Sequence, residues 1–100
     1  MSAGPGRPVK IRVEDYKFIP SQILAKPGEK LHLTIQNMGG NEHSMTFDMP
    51  AGAVSLPSHL HGGENLEYDV QVPKESGKYW FHCPVGDHYS RGMVGYILAQ

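Results

Sequence analysis

The amino-acid sequence predicts an all-β chain, a Greek-key β-sandwich of about seven to eight strands, and three observations carry that expectation. Apolar residues recur with period two, turn signals rich in Gly and Pro punctuate the chain at short intervals, and no segment holds a convincing helical period. One hundred residues is the size of one domain. At that length roughly two-thirds of the surface exposed by the unfolded chain can be buried, and a hydrophobic content of 39% is enough to build the core.

Taken in order, residues 1–8 contain Gly4, Pro5, Gly6 and Pro8 without an apolar period and read as a linker, so the domain is expected over 9–100. Val9, Ile11 and Val13 alternate with Lys10, Arg12 and Glu14, the pattern of a half-buried strand. A short strand over Ile23 to Ala25 follows. Leu31, Leu33 and Ile35 then alternate with Lys30, His32, Thr34 and Gln36. Further strands are expected at His43 to Phe47, Leu66 to Val70, Lys78 to Cys83 and Met93 to Leu98. Between them lie the turn signals Lys26-Pro27-Gly28-Glu29, Gly39-Gly40-Asn41, Gly62-Gly63-Glu64 and Glu75-Ser76-Gly77. The stretch from Asp48 to Gly63 lacks alternation and reads as a long surface loop or an irregular edge.

Charge narrows the function classes. Nine Lys and Arg against ten Asp and Glu leave no basic footprint for nucleic acid. No apolar run approaches the length that crosses a bilayer, so membrane insertion of this chain is not expected, and its start has no charged-then-apolar leader pattern. The single cysteine, Cys83, cannot form an internal disulfide and reads as a free thiol or a ligand.

Its surroundings favour the ligand. His43 opens one expected strand, while Cys83, His88 and Met93 follow at five-residue steps near the C-terminus. Five residues turn a helix by roughly 140° and reverse the face of a strand, so only a folded-back loop can converge the last three. Pro84, Gly86 and Gly92 supply the turn chemistry for such a loop. Tyr79 and Phe81 share strand parity with Cys83, and Met45 and Phe47 share it with His43, so both ends of the constellation are expected to face the core. Two imidazoles, a thiolate and a thioether form the His₂Cys trigonal set with a weak axial Met that suits a one-electron copper ion. Zinc takes a thioether poorly, so Met93 favours copper. Taken singly, each residue has an ordinary explanation: a surface His, a core Met, a small buried Cys. The joint pattern of parity, loop and donor chemistry is what singles them out.

These residues resemble those of the cupredoxins, small type 1 blue copper proteins, over essentially all of 9–100. Tyr16-Lys17-Phe18-Ile19-Pro20 with Ala25-Lys26-Pro27-Gly28-Glu29 is similar to the family's N-terminal sheet and turn, and Asn41-Glu42-His43-Ser44 to the segment of its first histidine ligand. Gly77 to Cys83, His88 and Gly92-Met93-Val94-Gly95 resemble its ligand loop and closing strand. Four residues separate Cys83 from His88 and four separate His88 from Met93, a spacing similar to rusticyanin-like members; Ser44 resembles them too, and as in them its neighbourhood would hydrogen-bond the thiolate. The resemblance implies electron transfer rather than enzymatic turnover. One copper ion would be bound by His43, Cys83, His88 and Met93, with His88 as the electron port. Redox partner proteins would dock transiently beside it, on a face formed by Met38, Gly39, Gly40, Pro84, Val85 and Gly86. It also implies an extracytoplasmic location, and a monomer is expected.

Three rival readings remain. His82 beside Cys83 resembles the position used for a second, catalytic copper in multicopper oxidases and nitrite reductases, and His59-Leu60-His61 adds two imidazoles; Pro84, where the oxidase motif repeats histidine, speaks against it. Six His and five Met also suit copper storage or delivery. A nucleophilic Cys83–His88 pair would need an accessible thiolate and leaves Met93 without a role.

Overall fold

The computed structural model describes residues 6–86, 88 and 90–100. Among them are nine strands: β1 (Arg7–Glu14), β2 (Lys17–Ile19), β3 (Gln22–Ala25), β4 (Lys30–Asn37), β5 (Thr46–Met49), β6 (Gly52–Ser55), β7 (Asn65–Gln71), β8 (Gly77–His82) and β9 (Val94–Ala99). They form two sheets, one ordered β2-β1-β4-β7 and the other β3-β9-β8-β5-β6. The expected all-β sandwich is what the chain forms. Two of the pairings are parallel, β1 with β4 and β3 with β9, while the remaining strand pairs are antiparallel.

Alternation decides what lies between the sheets. In β4, Leu31, Leu33 and Ile35 are fully buried while the intervening residues reach the surface, and Ile11 and Val13 fill the same layer from β1. Phe47, Phe81 and Ile97 close the core from the other sheet. Phe81 meets Phe18 edge-on at 5.1 Å and Phe47 at 5.7 Å, so an aromatic cluster anchors the strand that ends at Cys83.

Several boundaries differ from expectation. β1 opens at Arg7, two residues ahead of Val9, because its backbone is already paired with Leu31 of β4; residues 1–5 of the expected linker lie outside the described residues. Lys17–Ile19, not expected as a strand, folds back on β1. The strand expected at His43 begins only at Thr46. Residues 43–47 are buried without alternation, since His43 makes an isolated bridge to Leu60 and the segment runs into the end of the sandwich. The stretch Asp48 to Gly63 contributes β6, an edge strand exposed at all four positions, and also two buried anchors, Leu56 and Leu60. With no buried face, β6 has no hydrophobic alternation by which to be read.

Candidate metal centre

Cys83 and Met93 lie immediately outside the facing ends of β8 and β9. The Cys83 amide donates to the Met93 carbonyl at 3.2 Å, extending the ladder by one rung and closing the loop between them. Within that loop the His88 amide donates to Val85 O at 3.1 Å, and the His88 carbonyl accepts from Arg91 N and Met93 N, each at 3.1 Å. The loop is therefore folded back and internally tied, as the five-residue steps require. His43 arrives from the opposite side of the site, held by paired backbone bonds with Leu60 at 2.9 and 2.7 Å.

These supports bring the donors together. The ligand atoms of His43, Cys83 and His88 all lie within 4.8 Å of one another and all three residues are buried. Cys83 Sγ stands 3.8 Å from His43 Nδ1 and 3.3 Å from His88 Nδ1. An ion with bonds of about 2.0 Å to nitrogen and 2.3 Å to sulfur in a trigonal plane separates N from S by roughly 3.7 Å. The His43 separation matches that span and the His88 separation falls short of it by about 0.4 Å, so the donor set fits one ion. Met93 is buried with no exposure at the loop's end. His43 and Cys83 are likewise fully enclosed, whereas His88 retains 7% of its surface.

Beyond the donors, His43 turns its Nε2 to Asp15 Oδ1 at 3.0 Å. That hydrogen bond, followed by those from the Asn41 and Gly40 amides, holds the Asp15 carboxyl below the usual carboxylate range against a smaller opposing effect of desolvation. Tyr16 presents its ring edge-on to His88 at 5.3 Å, with the Arg91 guanidinium 4.9 Å over the tyrosine. Asn37, wholly buried, donates to Asn41 O at 2.9 Å and Leu60 O at 2.8 Å and accepts from Gly39 N at 2.9 Å, so one amide fastens the segment that carries His43 and the Leu60 segment bridged to it. Sequence reasoning missed Asp15 and Asn37. Asn37 was detectable as the polar continuation of the inward series Leu31, Leu33, Ile35; nothing in the spacing announced Asp15.

Other expected residues are placed differently. Ser44 is buried, but the hydrogen-bonding contacts of Cys83 Sγ among the described residues are the two imidazoles, so no bond from Ser44 reaches the sulfur. His82 faces the outer side of β8, with Nδ1 3.5 Å from Asp48 Oδ2. His59 pairs with Glu42, and His61 is exposed. Among the described residues, His43, Cys83 and His88 are the one group of three that could hold a metal, so His82, His59 and His61 are not gathered into a second site.

Residues 2–94 match the cupredoxin-like domain family. The chain belongs to the cupredoxins. Its fold is similar to that of auracyanin B, with a TM-score of 0.84 at 18% identity over 100% of this chain and 93% of the other. It is similar also to dithionite-reduced auracyanin from Roseiflexus castenholzii, at 0.77 and 16% over 97% and 99%. Auracyanin A, a "blue" copper protein from Chloroflexus aurantiacus, gives 0.75 and 17% over 94% and 100%. No curated protein sequence matches this cupredoxin. At such identities the likeness concerns the fold, and the chemistry of the site rests on its own residues.

Proposed function

We propose that this cupredoxin is a one-electron carrier, holding a single copper ion with His43, Cys83, His88 and Met93. The observation that carries the reading is the buried convergence of the Cys83 sulfur with the Nδ1 atoms of His43 and His88. The donor set fits copper, which would supply a Cu(II)/Cu(I) couple; Met93 suits it better than zinc. The protein's part is to hold the donors in place. Loop hydrogen bonds fix His88 and Met93, the bridge to Leu60 fixes His43, and complete burial of three donors leaves no open position for a substrate.

His88, the one donor with any exposed surface, serves as the electron port. Around it, exposed Met38, Pro84 and Gly86 and half-buried Val85 offer a weakly charged surface for brief docking of a redox protein. The carrier is a monomer working outside the cytoplasm, and the gaps from Cys83 to His88 to Met93 are of the rusticyanin-like kind. A storage or delivery role fits less well, since enclosed donors hinder release.

The deciding experiment is addition of one equivalent of Cu(II), followed by visible and electron-paramagnetic spectra. An intense thiolate band is expected, and Cys83→Ser should abolish it; a band that survives that substitution refutes the assignment. Val85→Glu should slow electron self-exchange at low salt without altering the spectrum, and an unchanged rate would place the port elsewhere.

A further inference from the structure

Asp15 lies on the turn after β1, remote in sequence from the ligand loop, yet its carboxylate is engaged wholly with the segment bearing His43. Oδ1 accepts from His43 Nε2 at 3.0 Å and from Asn41 N at 3.1 Å, and Oδ2 accepts from Gly40 N at 3.3 Å. The chain is shaped to permit this approach. A Cβ at Gly39 would stand 2.4 Å from Asp15 Oδ1 and 2.9 Å from its backbone nitrogen, so no other residue leaves the space. Tyr16, the next residue, has φ at +69°, a backbone conformation that residues other than Gly, Asn and Asp rarely adopt.

We propose that Asp15 is a positioning residue of the metal centre: it fixes His43 in the tautomer that leaves Nδ1 free for the ion, and its charge favours the oxidised ion over the reduced one. The proposal rests on the copper reading above. A neutral imidazole carries one N–H, and an ionised carboxylate only accepts, so the pairing places the hydrogen on Nε2. The lone pair is then left on Nδ1, the atom that faces Cys83 Sγ at 3.8 Å. A carboxylate on the far nitrogen also makes the ring a stronger donor, and removing such a partner typically weakens metal binding by about tenfold or more. Cu(II) carries one more positive charge than Cu(I) and gains more from the nearby anion. Asp15 is 39% exposed, so solvent screens part of that gain.

Asp15→Asn and Asp15→Ala separate the two roles. The amide can still accept from Nε2 but carries no charge, whereas the methyl does neither. In Asp15→Asn the preference for Cu(II) over Cu(I) should fall, raising the potential by about 59 mV for each tenfold lost, with the His43 tautomer unchanged. In Asp15→Ala the potential should rise as well, and ¹⁵N NMR of the metal-free protein should show His43 losing its pure Nε2–H form. Circular dichroism checks folding; should the Ala variant not fold, the nearly isosteric Asn variant decides. Potentials equal to the parent's in a normally coloured variant, or a parent His43 protonated on Nδ1, would overturn the proposal. A parent lacking the thiolate band would instead refute the copper reading, a failure told apart because the tautomer measurement needs no metal.

Discussion

Gly95, the second residue of the closing strand β9, is buried where the sandwich has no room for a side chain. A methyl added there would stand 2.4 Å from the Ser21 carbonyl oxygen and 2.6 Å from two carbons of the Phe81 ring. Neither neighbour can yield freely. The Ser21 carbonyl accepts the Tyr96 amide at 2.8 Å, and Phe81 is wedged between Phe18 and Phe47. Overpacking of a tight core costs about 1–3 kcal/mol, and contacts this short against backbone place Gly95→Ala at the upper end. The smaller entropy of the unfolded Ala chain returns about 0.4–1 kcal/mol. A net loss of about 2 kcal/mol lowers Tm by about 10 °C in a domain this size. Thermal denaturation of the metal-free variant measures it, with the copper spectrum as a separate check that Cys83, two residues beyond Phe81, keeps its place. A Tm within about 2 °C of the parent would refute the packing argument.

Met93→Gln should lower the reduction potential and Met93→Leu should raise it, because a harder donor favours the oxidised ion and no donor favours the reduced one; equal potentials in voltammetry would show Met93 uncoordinated. His32 on the outer face of β4 is hydrogen-bonded to Asp69 and Glu67, both at 2.6 Å, which raises its pKa above the ordinary 6.5. The folded state therefore binds the proton more tightly than the unfolded chain, so this stabilisation is complete below pH 6.5 and disappears as the pH rises through the raised value. The Tm advantage of the parent over His32→Gln should shrink across that interval, and a difference independent of pH would contradict the pairing. His82→Ala should leave copper stoichiometry at one per chain, because His82 faces Asp48 on the outer sheet and not the ligand cluster; calorimetric loss of a second tight site would revive the two-metal reading.

The sandwich was legible wherever one strand face is buried and the other wet, as at Leu31, Leu33 and Ile35, since burial writes itself into period two. It was illegible where that contrast vanishes. β6 is exposed at every position, and residues 43–47 are buried at every position, so neither carries an alternation. The donors His43, Cys83, His88 and Met93 could be named because their chemistry is unusual in combination. Asp15 could not, because a common surface residue gains its role only when the turn after β1 brings it against Nε2 of His43. The second-copper alternative finds no gathered ligand set: among the described residues His82 lies beside Asp48, His59 pairs with Glu42, and no group of three that includes them or His61 could hold a metal.

The parallel pairing of β3 with β9 has a consequence for how the molecule assembles. Gln22 lies beside Tyr96 and Ala25 beside Ala99, so an early strand has no sheet to join until the last strand is in place. Closing so long a loop is entropically slow, and topologies dominated by such pairings fold on a scale of about milliseconds to seconds. Met93 immediately precedes β9. Docking of the final strand therefore completes the sheet and the donor set in one event, and the Cys83 thiol passes from solvent to shelter at the same moment. A chain truncated before β9 would leave β3 unpaired and that thiol open to oxidation.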